Sequence, residues 1–249
     1  FGLFPVDAVG DLKGIEAAKF SLPAEKESEI YDHLELQWVP PELREDSGEI
    51  EAAEAGQLPN LMEAPMLKGS FHNHTTASDG TASLSQMADA ARNLGWEFLG
   101  IADHSQILQV ASGLSPDELV TQSAEVRALN EDWSDKGVDF RLFHGNECDI
   151  LPDGGLDYTD EERSVLDHVV GSVHQLPTWM KRDEDVNTEA LITAIENPSF
   201  TILGHPTGRI LGGRDGFAVD LHAVLLVDGD RELERVDVLR VQPQQLAAA

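Results

Sequence analysis

A chain of 249 residues with 46 acidic and 17 basic side chains carries a formal charge of −29, and so acidic a surface repels phosphate polymers. Broad electrostatic gripping of nucleic acid is thereby excluded, and any DNA contact must be local, through metal ions or clustered arginines. The one cysteine, Cys148, excludes an internal disulfide and a cysteine-based zinc site, which fits a reducing, cytoplasmic compartment.

No apolar run reaches membrane-spanning length, and the start Phe1-Gly2-Leu3-Phe4 lacks the basic flank of a signal peptide. That start also lacks Met, so a fragment or processed product is expected. Residues 1–65 are proline-rich and acidic, with one amphipathic piece from Glu27 to Leu36 and a charged helix or linker from Pro41 to Ala55. They read as a loop-rich appendage, distinct from a domain spanning 66–249.

From Lys68 the pattern alternates. Strands are predicted at 69–73, 97–102, 139–146, 167–173 and 200–204, with a weaker one at 236–241. Between them, Ser83-Leu84-Ser85-Gln86 opens a helix with a capping box and Gly95 closes it. Ser115-Pro116-Asp117-Glu118 opens a second, and a third runs from about Thr188 to Asn197-Pro198. Such alternation predicts an α/β fold, a parallel sheet or barrel with helices outside, whose site lies at the C-terminal strand ends.

Ligand-type residues fall at those ends. They are His72 and His74, Asp79 in Ser78-Asp79-Gly80, Asp103-His104, Glu147, His174 and His205. Two residues apart on an extended strand, His72 and His74 project from one face and reach a single metal. Imidazole with carboxylate suits zinc, manganese or iron. Glu147 has two oxygens with which to bridge two cations, and Asp79, His104, His174 and His205 complete a second and a third centre. Paired metals lower the pKa of water to about 7 and clamp phosphoryl oxygens, as phosphoester hydrolysis requires. Arg209 and Arg214 flank the turn Leu211-Gly212-Gly213 and are candidate phosphate contacts, against a bland reading as solubilising charges. Lys181, Arg182 and Trp179 are a weaker candidate set, with Trp179 placed to stack a base. His33, His144, His168 and His222 read as hydrogen-bonded core residues, and Cys148 as a small buried one.

The segments Gly69-Ser-Phe-His-Asn-His-Thr-Thr-Ala-Ser-Asp-Gly80, Gly100-Ile-Ala-Asp-His-Ser105, Gly145-Asn-Glu-Cys-Asp149, Ser172-Val-His174 and Leu203-Gly-His-Pro-Thr-Gly-Arg-Ile-Leu211 resemble the motifs of the PHP (polymerase and histidinol phosphatase) domain. The likeness is to its version at the C-terminus of bacterial X-family DNA polymerases. Glu29-Ile-Tyr31 and Trp38-Val-Pro-Pro-Glu-Leu-Arg-Glu45 are similar to the linker upstream of it. The resemblance implies a distorted (β/α)7 TIM-like barrel with two to three metals, manganese or zinc, and 3′–5′ exonuclease activity in DNA end processing. It also implies roles. His72, His74 and Glu147 are ligands of the first metal and carry catalysis, Glu147, His174 and His205 hold the second, and Asp79 with His104 hold part of the third.

Two departures stand out. Ser70 replaces the acidic residue that often precedes His-x-His. The family also closes its site with a late Asp-x-His on the last strand, and the residues after His205 are read as lacking it, so the barrel is expected to be incomplete at its C-terminus. The parent is therefore expected to be a repair polymerase hydrolysing DNA single strands or 3′ ends, with residues 1–65 the tail of its polymerase core and linker. A phosphomonoesterase of the histidinol-phosphatase type and a degraded, structural module are the alternatives.

Overall fold

The computed structural model describes residues 2–3, 22–210 and 212–226, with backbone alone at 2, 3, 22, 23 and 226. The expected strand at 236–241 lies outside them. The chain divides into two compact units, Phe1–Pro65 and Met66–Ala249.

In the first unit, β1 (Gly2–Leu3) pairs antiparallel with β2 (Leu22–Pro23). Helix α1 (Glu27–His33) stops short of the expected Leu36, because the chain turns left-handed at Glu35 (φ 57°). Arg44 ties this helix to the following loop. Its guanidinium grips Glu27 at 2.8 and 2.9 Å and donates to Val39 O. The expected charged helix over 41–55 is broken in two, a 3₁₀ turn at Pro41–Leu43 and α2 (Glu49–Glu54). Gly48 at φ 98° separates them, and the Glu49 carboxylate accepts from the Asp46 and Ser47 amides. His33 is exposed, not the core histidine expected.

The second unit is built on a parallel sheet of β3 (Phe98–His104), β4 (Arg141–Asp149), β5 (His168–Ser172) and β6 (Ile202–Leu203), in that order. Helices precede or link the strands: α3 (Leu84–Asn93), α4 (Pro116–Asp135), α5 (Asp160–Arg163), α6 (Leu176–Trp179) and α7 (Glu184–Ile195), with α8 (Leu221–Leu226) after β6. Ser83 with Gln86, Ser115 with Glu118 and Thr159 with Glu162 each form a capping box, so three helix starts are encoded within four residues. Side-chain alternation sends Leu99, Ile101, Leu142, Cys148 and Val169 outward into two apolar clusters beneath α3, α4 and α7. It sends His104, Glu147, Asp149 and Ser172 to the other face.

The expected first strand, 69–73, is extended but not a ladder strand. Lys68 O, Ser70 O and Asn73 O accept from Phe98, Gly100 and Ala102 N, a register that slips by one residue along the segment. At the slip the Asn73 amide donates to Ser70 O (3.2 Å) and Gly100 O (2.8 Å), occupying the carbonyl that a paired strand would use. The side chain has replaced the ladder.

Below the polar face the interior is filled by His168 and Phe71, with His168 Nε2 at 2.9 Å from Phe71 O. Gly145 makes the room: a Cβ there would sit 2.2 Å from the His168 ring, which that bond prevents from swinging away. Gly145→Ala is accordingly expected to destabilise the chain by about 1–3 kcal/mol, read as a lowered urea midpoint with an unchanged slope. As expected, His144 and His168 are buried and hydrogen-bonded, whereas His222 is exposed, on a helix too short to bury both its faces.

Candidate metal centre

Glu147 is 1% exposed on β4, and five imidazoles converge on it. To Oε1 the distances are 3.1 Å from His72 Nε2, 3.3 Å from His174 Nε2 and 2.8 Å from His205 Nε2. To Oε2 they are 3.4 Å from His74 Nε2 and 3.0 Å from His104 Nδ1. The fold explains the convergence. His104 ends β3 and is the register partner of Glu147. His174 follows β5, His205 follows β6, and His72 and His74 alternate with the tethered Asn73 on the segment flanking β3. Asp79 closes one side, with Oδ1 3.7 Å from His74 Nδ1 and Oδ2 3.5 Å from His104 Nε2.

Glu147 lies inside a strand, not after one as expected. The ladder runs on to Asp149 because β5 supplies partners for these polar residues.

Ionised carboxylate oxygens only accept, and neutral imidazole nitrogens approach them well only through an N–H or across a cation. Burial pushes Glu147 toward neutrality, but the rings of His104, His174, His205 and His72 outweigh it and hold the carboxyl far below its usual range. Burial drives His74 down to about 4 against the opposing pull of Glu147, so that ring is neutral at pH 7. Protonating the whole set would crowd positive charges between rings 4.4–5.9 Å apart. Two buried nitrogens, His74 Nδ1 and His104 Nδ1, lack a well-directed hydrogen bond among the described residues, although His104 Nδ1 lies 3.0 Å from Glu147 Oε2. Bound cations resolve both problems, and the donors fit them. Among the described residues, three groups of ligand atoms lie mutually within 4.8 Å: His72, His74 and Glu147; His74, Asp79 and His104; and His104, Glu147 and His174.

Two further carboxylates matter, Asp149, which was unassigned from the sequence, and Asp103, which the structure places differently from its reading. Asp149, fully buried, accepts from His174 N (3.2 Å) and faces His174 Nδ1 at 3.1 Å, which aims Nε2 at Glu147. Burial would lower the pKa of His174, but Asp149 and then Glu147 raise it to about 9. The signal was the spacing Glu147-x-Asp149, which puts two carboxylates on one face of a strand. Asp103, read beside His104 as a ligand candidate, points instead to the opposite face of β3.

Other candidates are placed differently. Trp179 is fully buried in the core and is not available to stack a base. The Arg182 guanidinium lies 4.9 Å over its ring. Arg209 and Arg214 are exposed on the loop after β6, where Arg214 Nε and Nη2 donate to Gly208 O and brace the turn. Cys148 is buried, its thiol pushed up by burial. One Asp-x-His does follow His205, contrary to the expectation of none: Asp220-Leu221-His222. It starts α8, where Asp220 Oδ1 accepts from the His222 and Ala223 amides. Neither side chain joins a ligand group among the described residues. No helix among those residues is long and apolar enough to cross a membrane.

Residues 70–225 match the PHP domain model, and residues 2–45 match that of the DNA polymerase beta thumb. The chain is 39% identical over 199 residues to the DNA polymerase/3′-5′ exonuclease PolX of Bacillus subtilis (strain 168), covering 80% of this chain and 33% of that protein. It is 28% identical over 157 residues to a probable phosphatase of Thermoanaerobacter sp. (strain X514), covering 62% and 58%. To a probable phosphatase of Clostridium botulinum (strain Langeland) it is 33% identical over 137 residues, covering 54% and 51%. The chain thus spans a third of the length of the polymerase and just over half that of the phosphatases. With five motif histidines gathered on one glutamate and a thumb match ahead of them, the chain belongs to the PHP domain family, in the form carried by bacterial X-family DNA polymerases.

Proposed function

We propose that this chain is the metal-dependent phosphodiesterase part of a cytoplasmic DNA-repair polymerase, trimming DNA at 3′ ends. In this reading Met66–Ala249 is a PHP domain folded as a distorted (β/α)7 barrel, and Phe1–Pro65 is the tail of the polymerase core and its linker. The observation that carries it is the convergence of five imidazoles on the buried carboxylate of Glu147.

His72, His74 and Glu147 would hold one divalent cation, Glu147, His174 and His205 a second, and Asp79 with His104 a third, manganese or zinc suiting each. When bound, such ions lower the pKa of water and offset charge building on phosphoryl and leaving oxygens. The chain's own residues do the rest. Glu147 places the sites side by side, and Asp149 keeps His174 Nε2 aimed inward. Arg209 and the Nη1 edge of Arg214 meet the phosphate, local cations on an otherwise repelling surface.

A second reading, phosphomonoester hydrolysis, is favoured by the similarity to probable phosphatases. Manganese-supplemented hydrolysis of a 5′-labelled single-stranded oligonucleotide is compared with that of a small phosphate ester. Shortening of the oligonucleotide, lost in Arg209→Ala/Arg214→Ala by about tenfold or more in kcat/KM, supports the first reading. Turnover of the ester alone supports the second, and metal binding with turnover of neither supports a structural module.

A further inference from the structure

Asp103 lies wholly buried on the outer face of β3 and takes four hydrogen bonds. Oδ1 accepts from Thr75 N and Ser78 Oγ, both at 2.6 Å, and Oδ2 accepts from Thr75 Oγ1 at 2.7 Å and Gln122 Nε2 at 2.6 Å. Three of the four come from one turn, and no basic side chain contributes among the described residues. An ionised carboxylate is costly to bury even when saturated with such bonds. A leucine beside Ile101 and Leu142 would fill that layer without the cost, so packing does not account for an acid here.

The turn accounts for it. Thr75 O accepts from Ser78 N (3.2 Å) and Gly80 N (2.9 Å), and Thr76 N donates to Ala82 O (2.9 Å). Gly80 packs so tightly that a Cβ would fall 2.5 Å from His74 O. The segment is thus closed on Thr75, and Thr75 is bolted to Asp103. Asp79 projects from this turn, its half-exposed side chain meeting His74 and His104 alone within ion-pair distance among the described residues. Its position is inherited from Thr75. On the far side Gln122 Oε1 faces His144 Nε2 at 3.2 Å, so the anchor is rooted beneath α4.

We propose that Asp103 is a positioning residue that locks the Thr75–Gly80 turn and delivers Asp79 to His74 and His104, setting the occupancy of that one cation site while touching neither metal nor substrate. The inference rests on the metal-centre reading above. Manganese binding to the full chain tests it, by calorimetry and Mn2+ electron paramagnetic resonance. Asp103→Asn turns an amide NH2 against Gln122 and is expected to weaken the weakest manganese step about tenfold, as one bond to a charged group implies, matching Asp79→Asn. The tighter steps stay within about twofold, and D103N/D79N is no worse than either single change, as residues acting through one site require. D103N/Q122E moves the carboxylate to the partner position and recovers most of the loss.

Manganese binding by Asp103→Asn equal to that of the unsubstituted chain overturns the proposal, as does a loss spread evenly over every step. Should Asp103→Asn fail to fold, Ser78→Ala deletes one bond from the turn and is expected to weaken the same step severalfold; no change there overturns it equally. If Glu147→Gln binds manganese like the unsubstituted chain, the metal-centre reading itself falls. A loaded parent with a silent Asp103→Asn removes the Asp103 assignment alone.

Discussion

Glu147→Gln is expected to leave the chain without tightly held divalent metal and to cut metal-dependent phosphodiester hydrolysis by about 10³-fold or more. The size follows from several kcal/mol of charge stabilisation supplied by bound ions, at about 1.4 kcal/mol per factor of ten. Both Glu147 oxygens lie within 3.4 Å of imidazole nitrogens from five residues. An amide of the same shape offers one weak acceptor and turns an NH2 group against rings that need a carboxylate or a cation. His205→Ala is expected to do less, because His205 is 40% exposed and meets one oxygen only. Metal analysis after dialysis, paired with oligonucleotide shortening, checks both; full metal content and activity in Glu147→Gln would remove Glu147 from the centre.

Asp149→Asn should show an effect whose size depends on pH. The aligned carboxylate both orients His174 and raises its pKa to about 9. A raised folded-state pKa stabilises the metal-free chain fully below the unfolded value of about 6.5. That contribution is lost as pH rises through about 9, and Asp149→Asn flattens the slope of thermal stability in chelator over this window. Metal needs His174 unprotonated, so below about 9 it must displace a proton, and at pH 7 that competition costs about 100-fold in affinity. Losing the orienting carboxylate costs about 10–100-fold by itself, while lowering the His174 pKa relieves the competition. Chelator-competition titrations with zinc should therefore show Asp149→Asn markedly weaker near pH 9 and closer to the unsubstituted chain near pH 7. A deficit constant across pH would contradict the linkage.

The helices were legible where their signals are local. Ser83 with Gln86 and Ser115 with Glu118 sit three residues apart and start α3 and α4 as read. Helix α7 begins at Glu184 instead of near Thr188, since Asp183 and two acids in the first turn look like a loop until helix polarity is considered. The strands expected at 97–102, 139–146, 167–173 and 200–204 fall on their apolar runs, but β4 outlasts its run by three residues, Glu147, Cys148 and Asp149, because buried polar groups there serve the site. Eight ligand candidates were named from strand-end placement; the structure gathers His72, His74, Asp79, His104, His174 and His205 about Glu147 and turns Asp103 to the opposite face. Which face each residue takes was not legible. Asp103 and His104 are neighbours in sequence, and only the register with β4 assigns one to the turn and the other to the centre. The slipped pairing of 68–73 depends on Asn73 meeting Gly100, a contact across 27 residues that no local pattern carries.

Because the donors around Glu147 come from segments as distant as His72 and His205, an ion seated there is a cross-link joining the start of the domain to its far crossovers. An unfolded chain has no such pocket, so every increment of loading deepens the native well, by about 2.7 kcal/mol at a free concentration one hundred times the dissociation constant. Chelation would then loosen the whole scaffold as well as silence its chemistry, and the cell's supply of divalent ions would govern how long the molecule survives.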